Sequence, residues 1–350
     1  MDSNIAMILL ADGLAGSAIY LIIGLGLALI FSVTRVIFVS FGSVAVFAAL
    51  SLGAMELGQL PAAIELVGFF AVLALIMELA VLWRGKAWQR LPRVLFYWVV
   101  LPFVPCALAA WAAGQESEII KVAAAILVVV PLGPLIERVA LRPVAKASVL
   151  ALLIVALVLD FVLSGLGLLW FGPEGLRTHA SIPGTTALTP NLIVNNQTLM
   201  TIAVAFGLAL VFYIILQRTH TGKVLHATAS NPVGARLVGI RPAFTATVAH
   251  IIAALLAGIV GVLISPVATI YYDSGLMLTL KAFVAVIIGG MSSYPLTALG
   301  ALLVGVSESF ASFWNSGLKD AIVFGLLIPI LVIRSGLVPQ RDDNDEEGDV

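Results

Sequence analysis

Apolar residues run through this chain in long blocks separated by short polar or Gly- and Pro-containing breaks, and these blocks set the predicted elements. A helix crossing the ~30 Å hydrocarbon core of a bilayer needs about 20 predominantly apolar residues. Blocks of that order lie at 5–31, 36–57, 64–83, 94–113, 119–136, 149–171, 198–216, 244–270, 276–290, 296–313 and 321–333. The pattern predicts an all-α fold, a polytopic transmembrane helix bundle with about 8–11 crossings. Several blocks are short or carry internal glycine, so adjacent pairs read as broken or re-entrant helices.

One polar island breaks the pattern more sharply than the others, GKVLHATASNPVGARLVGI at residues 222–240. Asn231 is suited to cap a helix by accepting from a free backbone N–H, Pro232 suits a first helical turn, and Gly239 suits a left-handed stop. This punctuation predicts a two-turn helix over 232–238. So short a helix is marginal alone in water, and Val233, Leu237 and Ile240 give it an apolar stripe to bury, so it needs a partner surface on a soluble cytoplasmic protein. On the opposite face the longest polar stretch is 172–197, rich in Gly, Pro, Thr and Asn. An extracytoplasmic docking surface and a plain connector both fit it.

Composition excludes a soluble domain: 61% of residues are hydrophobic, 11% are charged, and the mean hydropathy is +1.13. With the 222–240 island in the cytoplasm, most of the 18 basic residues fall on that side, in clusters at 84–93, 138–146 and 218–241 together with Arg35, Arg334 and Arg341. That is the positive-inside bias, and it sets the N-terminus outside and the C-terminus inside. The domain reading is therefore a transmembrane region over 1–337, with an inner loop at 217–242 and an outer loop at 172–197, followed by a tail at 338–350. Asp342, Asp343, Asp345, Glu346, Glu347 and Asp349 make that tail acidic and predict it to be solvated and disordered. Cys106 is the single cysteine, so an intrachain disulfide or a cysteine metal cluster is excluded, and it reads as a small core residue. Asp2 and the lack of a basic leader region predict that the first block stays as a spanning helix. The expected surroundings are a lipid bilayer and other proteins, not nucleic acid.

No GxxxxGK[ST], HExxH or GxSxG occurs, and the histidines are dispersed, so no ATP, metal or cofactor site is expected on this chain and an enzyme is not predicted. The GLG at 24–26 lies inside an apolar helix and is no nucleotide fingerprint. Ala257 with Gly261, and Ala301 with Gly305, have the spacing that lets helices pack closely. Glu78, Asp160, Lys281 and Glu308 fall inside apolar blocks, where an ionisable group normally faces the bundle or a water path. Lys281 lies near an outer loop and fits simple snorkelling as well, whereas Asp160 is mid-span. In a proton- or ion-coupled secondary transporter such carboxylates form a relay, and in an ATP-driven permease they serve packing, hydrogen bonds or substrate contacts; their presence alone separates neither class.

The island and its neighbours resemble a known family. GKVLHATASNPVGARLVGI resembles the cytoplasmic loop of permease subunits in branched-chain amino acid ABC importers. ERVALRPV at 137–144, KAFVAVIIGGMSSYPLTALGALLVG at 281–305 and GLAGSAIYLIIGLGLALIFSV at 13–33 are similar to further family segments in the same order, and the order is that of the first of the family's two permease types. The resemblance implies the ABC importer permease fold in a bacterial inner membrane, a homologous second permease, two cytoplasmic ATPase subunits that hold ATP and magnesium, and a periplasmic binding protein that delivers an amino acid or a small organic acid or amide. It also implies that Ala229, Ser230, Asn231, Pro232, Val233, Ala235, Arg236, Leu237, Gly239 and Ile240 form the coupling helix and its flanks.

Two departures from the family pattern matter. Ser230 stands where family members often carry Glu, which removes a salt bridge there and leaves a hydroxyl contact or cap. An INFAHG-like run is VIFVSFG at 36–42, with Phe38 and Phe41 at its polar positions. If these two line the translocation path with Asp160, Lys281 and Glu308, they favour an apolar or aromatic solute. The basic linker and apolar span over 83–113 read as an insertion, and no function is assigned to them.

Overall fold

The computed structural model describes residues 3–85, 88–145, 147–189 and 192–337. The acidic tail at 338–350, with Arg341, lies outside the described residues, as do Lys86 and Lys146. The helices in chain order are α1 (Ser3–Thr34), α2 (Phe41–Glu56), α3 (Ala63–Gly85), α4 (Leu91–Ala112), α5 (Glu118–Val144), α6 (Val149–Phe171), α7 (Asn196–Arg218), α8 (His220–Ser230), α9 (Pro232–Leu237), α10 (Pro242–Ile264), α11 (Gly275–Ile288), α12 (Tyr294–Trp314), α13 (Lys319–Gly325) and α14 (Leu327–Leu337). Eight of them are long and apolar enough to cross a membrane: α1, α3, α4, α5, α6, α7, α10 and α12. A helix satisfies its backbone hydrogen bonds internally, which hydrocarbon demands of any segment that spans it.

The centre of the bundle is built from two shorter apolar helices. α2 has 16 residues and α11 has 14. At 1.5 Å per residue they reach about 24 and 21 Å, less than the hydrocarbon core. Every residue of α2 up to Met55 is buried, and it packs against α5, α6, α10 and α11. The expected continuous span at 36–57 is therefore corrected: Arg35 takes a left-handed φ of 58°, residues 35–38 carry no regular structure, and helix resumes only at Phe41. At its start α2 meets α11 so closely that a Cβ on Gly42 would overlap the Gly275 carbonyl oxygen and one on Gly275 would overlap Ser43 N. Gly42 N–H, free because it begins a helix, donates instead to Thr279 Oγ1 at 2.7 Å.

Small residues set the remaining close approaches. Gly305 on α12 lies against Ser17 and Gly13 of α1, and Gly261 on α10 lies against the Ala45 carbonyl of α2. Ala257 and Ala301 are fully buried, so both small-residue motifs are helix-packing seams. Cys106 is buried in α4, as expected of a small core residue.

Other predicted boundaries also move. The 119–136 block continues as helix to Val144 through a π turn at Glu137–Leu141 and a 3₁₀ turn at Arg142–Val144, so ERVALRPV is the end of α5. The block at 244–270 ends at Ile264, and that at 321–333 divides into α13 and α14. The 172–197 stretch carries an antiparallel hairpin, β1 (Thr185–Thr189) with β2 (Leu192–Asn195), in which Thr186 opposes Val194 and the register shifts between Ala187 and Thr189. That stretch is tied to the bundle by Leu176 pairing with Ile270, by a 2.8 Å hydrogen bond between the Thr178 and Ser265 hydroxyls, and by Glu56 accepting from His179 N–H at 3.2 Å.

The Gly42–Gly275 crossing yields a direct expectation. Gly42→Ala forces a Cβ into backbone that has no room to yield, at a cost of about 3 kcal/mol, and lowers the thermal midpoint in detergent. Gly207→Ala on α7, where nothing lies within 4 Å of the added Cβ, leaves the midpoint unchanged or slightly raised. Equal midpoints for Gly42→Ala and wild type would contradict this packing.

Candidate functional site

The 217–242 elbow joins α7 to α10 and is more ordered than its sequence suggests, because it contains α8 as well as the expected short helix. Thr219 caps α8, its Oγ1 accepting from Gly222 N–H at 3.1 Å. Gly222 is required there because a Cβ would overlap the carbonyls of Ile215 and Leu216. Asn231 serves two helices at once. Its N–H donates to the Ala227 carbonyl at 3.1 Å and closes α8, and its Oδ1 accepts from Gly234 N–H at 2.8 Å and opens α9. Pro232 occupies the first turn of α9. Gly239, with φ +87°, ends α9, and Ile240 N–H reaches back to the Ala235 carbonyl at 2.9 Å.

The elbow presents a distinct surface. Ala235 is buried and anchors α9 to the molecule, while Leu237 is 85% exposed, Val238 76% and Val233 67%. Pro232, Asn231, Ser230 and Arg236 are exposed around them, and Ala229 and Ile240 are half-buried. The predicted stripe is thus partly rearranged: Val233 and Leu237 face outward as expected, Ile240 turns inward, and Val238 takes its place. Behind the elbow, Ala229 and Ser230 line a cavity of about 180 Å³ with Leu29 and Arg35 at the end of α1, Leu216 of α7 and Tyr294 of α12. The elbow therefore touches the ends of three spanning helices.

Inside the bundle the ionisable residues form hydrogen-bonded groups. Ser43 donates to Asp160 Oδ1 at 2.6 Å, and Asp160 is fully buried, its Oδ2 without a partner among the described residues. Lys281 Nζ lies 2.6 Å from Glu308 Oε1 and 2.8 Å from Asp320 Oδ1, and Tyr20 donates its hydroxyl to Glu308 Oε2. This group bridges α1, α11, α12 and α13. Lys281 is 9% exposed at its side chain, so of the two readings its place in the sequence left open, the structure has the one that faces the bundle: two carboxylates hold it inside. Glu78 pairs with Arg138 across α3 and α5 at 2.7 Å. Phe38 and Phe41 are 1% and 0% exposed; Phe38 meets the His250 ring edge-on at 5.3 Å, and Phe41 fills the space beside Gly26. The arrangement brings Lys281 and Glu308 together, joins Asp160 to Ser43, and seals both phenylalanines into the core.

Sequence reasoning missed Tyr20, Ser43, Thr279 and Asp320. Tyr20 and Thr279 sit within apolar helices, and Asp320 stands at the edge of its block, so only tertiary contact marks them. The buried group is testable: Lys281→Met leaves Glu308 with only the Tyr20 hydroxyl and Asp320 without its cation, and destabilises the protein by about 3 kcal/mol. Adding Glu308→Met then recovers much of the loss, read as thermal midpoints in detergent. A single variant as stable as wild type would contradict the pairing.

The comparisons with known proteins agree with one another. The family model described as "Branched-chain amino acid transport system / permease component" matches residues 9–331. The high-affinity branched-chain amino acid transport system permease protein BraD of Pseudomonas aeruginosa is 29% identical over 218 residues, 61% of this chain and 71% of that protein. The corresponding permease protein LivH of Escherichia coli K12 is 28% identical over 215 residues, 60% of this chain and 70% of that protein. A probable LivH permease of Methanocaldococcus jannaschii is 27% identical over 217 residues, 58% of this chain and 67% of that protein. No solved structure matches the chain.

Proposed function

The chain belongs to the family of permease components of branched-chain amino acid transport systems, and from that premise we propose that it is the membrane-spanning subunit of an ATP-driven importer. The observation that carries the proposal is α9. A two-turn helix, capped at both ends and anchored by buried Ala235, holds Val233, Leu237 and Val238 out into solvent at the end of the bundle. Fully burying each such side chain is worth about 2 kcal/mol, so the surface is suited to a groove on another protein. That protein is one of two cytoplasmic ATPase subunits, which bind ATP and magnesium; this chain binds neither. On this reading residues 229–240 are the coupling segment, residues 217–242 face the cytoplasm of a bacterial cell, the C-terminus lies on the same side of the inner membrane, and residues 172–197 face a periplasmic binding protein.

The translocation path forms with a homologous second permease. We place its lining along α2, α6, α11 and α12, where Phe38, Phe41, Asp160, Lys281 and Glu308 reside. They are buried in this conformation, so transport requires these helices to part. Movement of the elbow is passed to α1, α7 and α12 through the side chains that meet behind it. The cargo is an amino acid or a small organic acid or amide, and Phe38 and Phe41 favour an apolar one. Glu308 is held by both Lys281 and Tyr20, so a proton-coupled carrier would have to run through Asp160, whose Oδ2 has no partner among the described residues.

Co-purification in mild detergent tests the proposal. The wild-type chain is expected to bring down an ATPase subunit and a second permease, and Leu237→Asp to lose the ATPase while keeping the permease. A wild-type chain that purifies alone and still transports would overturn it and turn attention to Asp160 and Glu308 as coupling residues.

A further inference from the structure

The span that the family resemblance leaves unexplained, α4, encloses the largest cavity described in the bundle, about 650 Å³ between α4, α5 and α10. Its walls carry Pro102 and Pro105 on α4 and Pro131 and Pro134 on α5. Proline lacks the N–H that continues a helical ladder and its ring pushes against the preceding turn. α4 also contains a π turn at Phe96–Val100. These irregularities interrupt the regular helical ladder on the two helices that wall a concave, mostly hydrocarbon-lined groove.

The mouth of the groove is charged, at the same end of the bundle as the elbow. Arg142 of α5 hydrogen-bonds to Thr247 near the start of α10, the helix that follows the elbow. Four charges near the mouth are already matched: Glu78 by Arg138, and Glu137 by Arg142. Arg93, which lines the cavity, is exposed and has no acidic partner among the described residues. The bonds of Arg142 engage Nε and Nη2, and none involves Nη1 among the described residues. Tyr97 and Trp98 line the same cavity about one helical turn further along α4 than Arg93, and aromatic rings beside a basic residue near a helix end are suited to the headgroup region of a bilayer. The site thus combines an apolar slot, an aromatic collar and one uncompensated guanidinium.

We propose that this groove holds a phospholipid with an anionic headgroup, its acyl chains between α4, α5 and α10 and its phosphate on Arg93. Basic pockets between membrane helices on the cytoplasmic side recognise such headgroups, and a guanidinium matches phosphate oxygens in bidentate geometry. An uncharged occupant leaves Arg93 uncompensated, and a protein helix inserted there meets the same unmatched charge with an apolar face. The inference requires only that the helices span a bilayer. It stands apart from the transport reading, since its assay reads lipid and involves no ATPase or substrate.

The test is native mass spectrometry of the purified full-length chain released from bilayers of equal phosphatidylglycerol and phosphatidylcholine. Wild type is expected to retain phosphatidylglycerol preferentially, and Arg93→Gln to reduce that preference roughly fivefold, the effect of one basic residue near a charged bilayer. Arg84→Gln, which removes an exposed arginine at the end of α3 outside the groove, is expected to leave the preference intact. Val104→Trp, which fills the groove, is expected to lower retention of both lipids. Equal retention of the two lipids by wild type, or a preference that Arg93→Gln leaves unchanged or that Arg84→Gln reduces as much, would overturn the proposal.

Discussion

Everything in this bundle depends on the back-to-back start of α2 and α11. Two helices too short to span meet at their N-termini inside the bundle, where the free N–H groups of a helix end need partners from the protein. The solution is local and close-packed. Gly42 and Gly275 abut with no room for a side chain, Gly42 N–H finds the Thr279 hydroxyl, and the neighbouring Ser43 turns to Asp160. A carboxylate in hydrocarbon is expensive, and here it lies near the N-terminus of α2, where the helix dipole favours negative charge. α2 is thereby placed inside the bundle with protein on all sides, and the long helices arrange themselves around it.

From that centre the structure can be followed outward to its soluble end. α10 packs on α2 through Gly261 and Ala45, begins directly after the elbow, and shares the elbow's polar surroundings. α1 packs on α12 through Gly13, Ser17 and Gly305, and both helices end at the cavity behind Ala229 and Ser230. The ion group of Lys281, Glu308, Asp320 and Tyr20 ties α11 to α1, α12 and α13. Packed interiors shift between discrete arrangements and do not deform continuously. On the proposed importer reading, a displacement of α8 and α9 would reach the middle of the bundle by moving whole helices, with the buried polar groups holding α1, α11, α12 and α13 together.

The sequence made the long helices and the elbow legible, for physical reasons that differ. Spanning helices follow from length and hydropathy, since hydrocarbon leaves the backbone no other choice. The cap, first-turn proline and stop glycine of α9 are local signals whose hydrogen bonds close within a few residues of Asn231 and Gly239. What escaped was tertiary. Residues 36–40 are nearly as apolar as the helix that follows, and nothing in their own sequence announces that the backbone breaks at Arg35 and that α2 then starts against Gly275, more than two hundred residues away. Snorkelling stayed open for Lys281 because both of its carboxylates, Glu308 and Asp320, lie on other helices. Val238 replaced Ile240 on the exposed stripe because the chain reverses at Gly239 and carries Ile240 back toward the bundle. The hairpin at Thr185–Thr189 was hidden by the Gly, Pro and Thr content of its loop.

What α9 touches in the cell decides whether the elbow couples this bundle to an ATPase. The most direct measurement is photo-crosslinking in intact membranes from a benzoyl-phenylalanine placed at position 237, with the captured species identified by mass spectrometry. The account predicts a single dominant adduct to a soluble ATPase subunit, absent when the same probe is placed at the exposed Trp314 at the opposite end of α12. Adducts confined to lipid or to other segments of this chain, in membranes where transport is active, would contradict it.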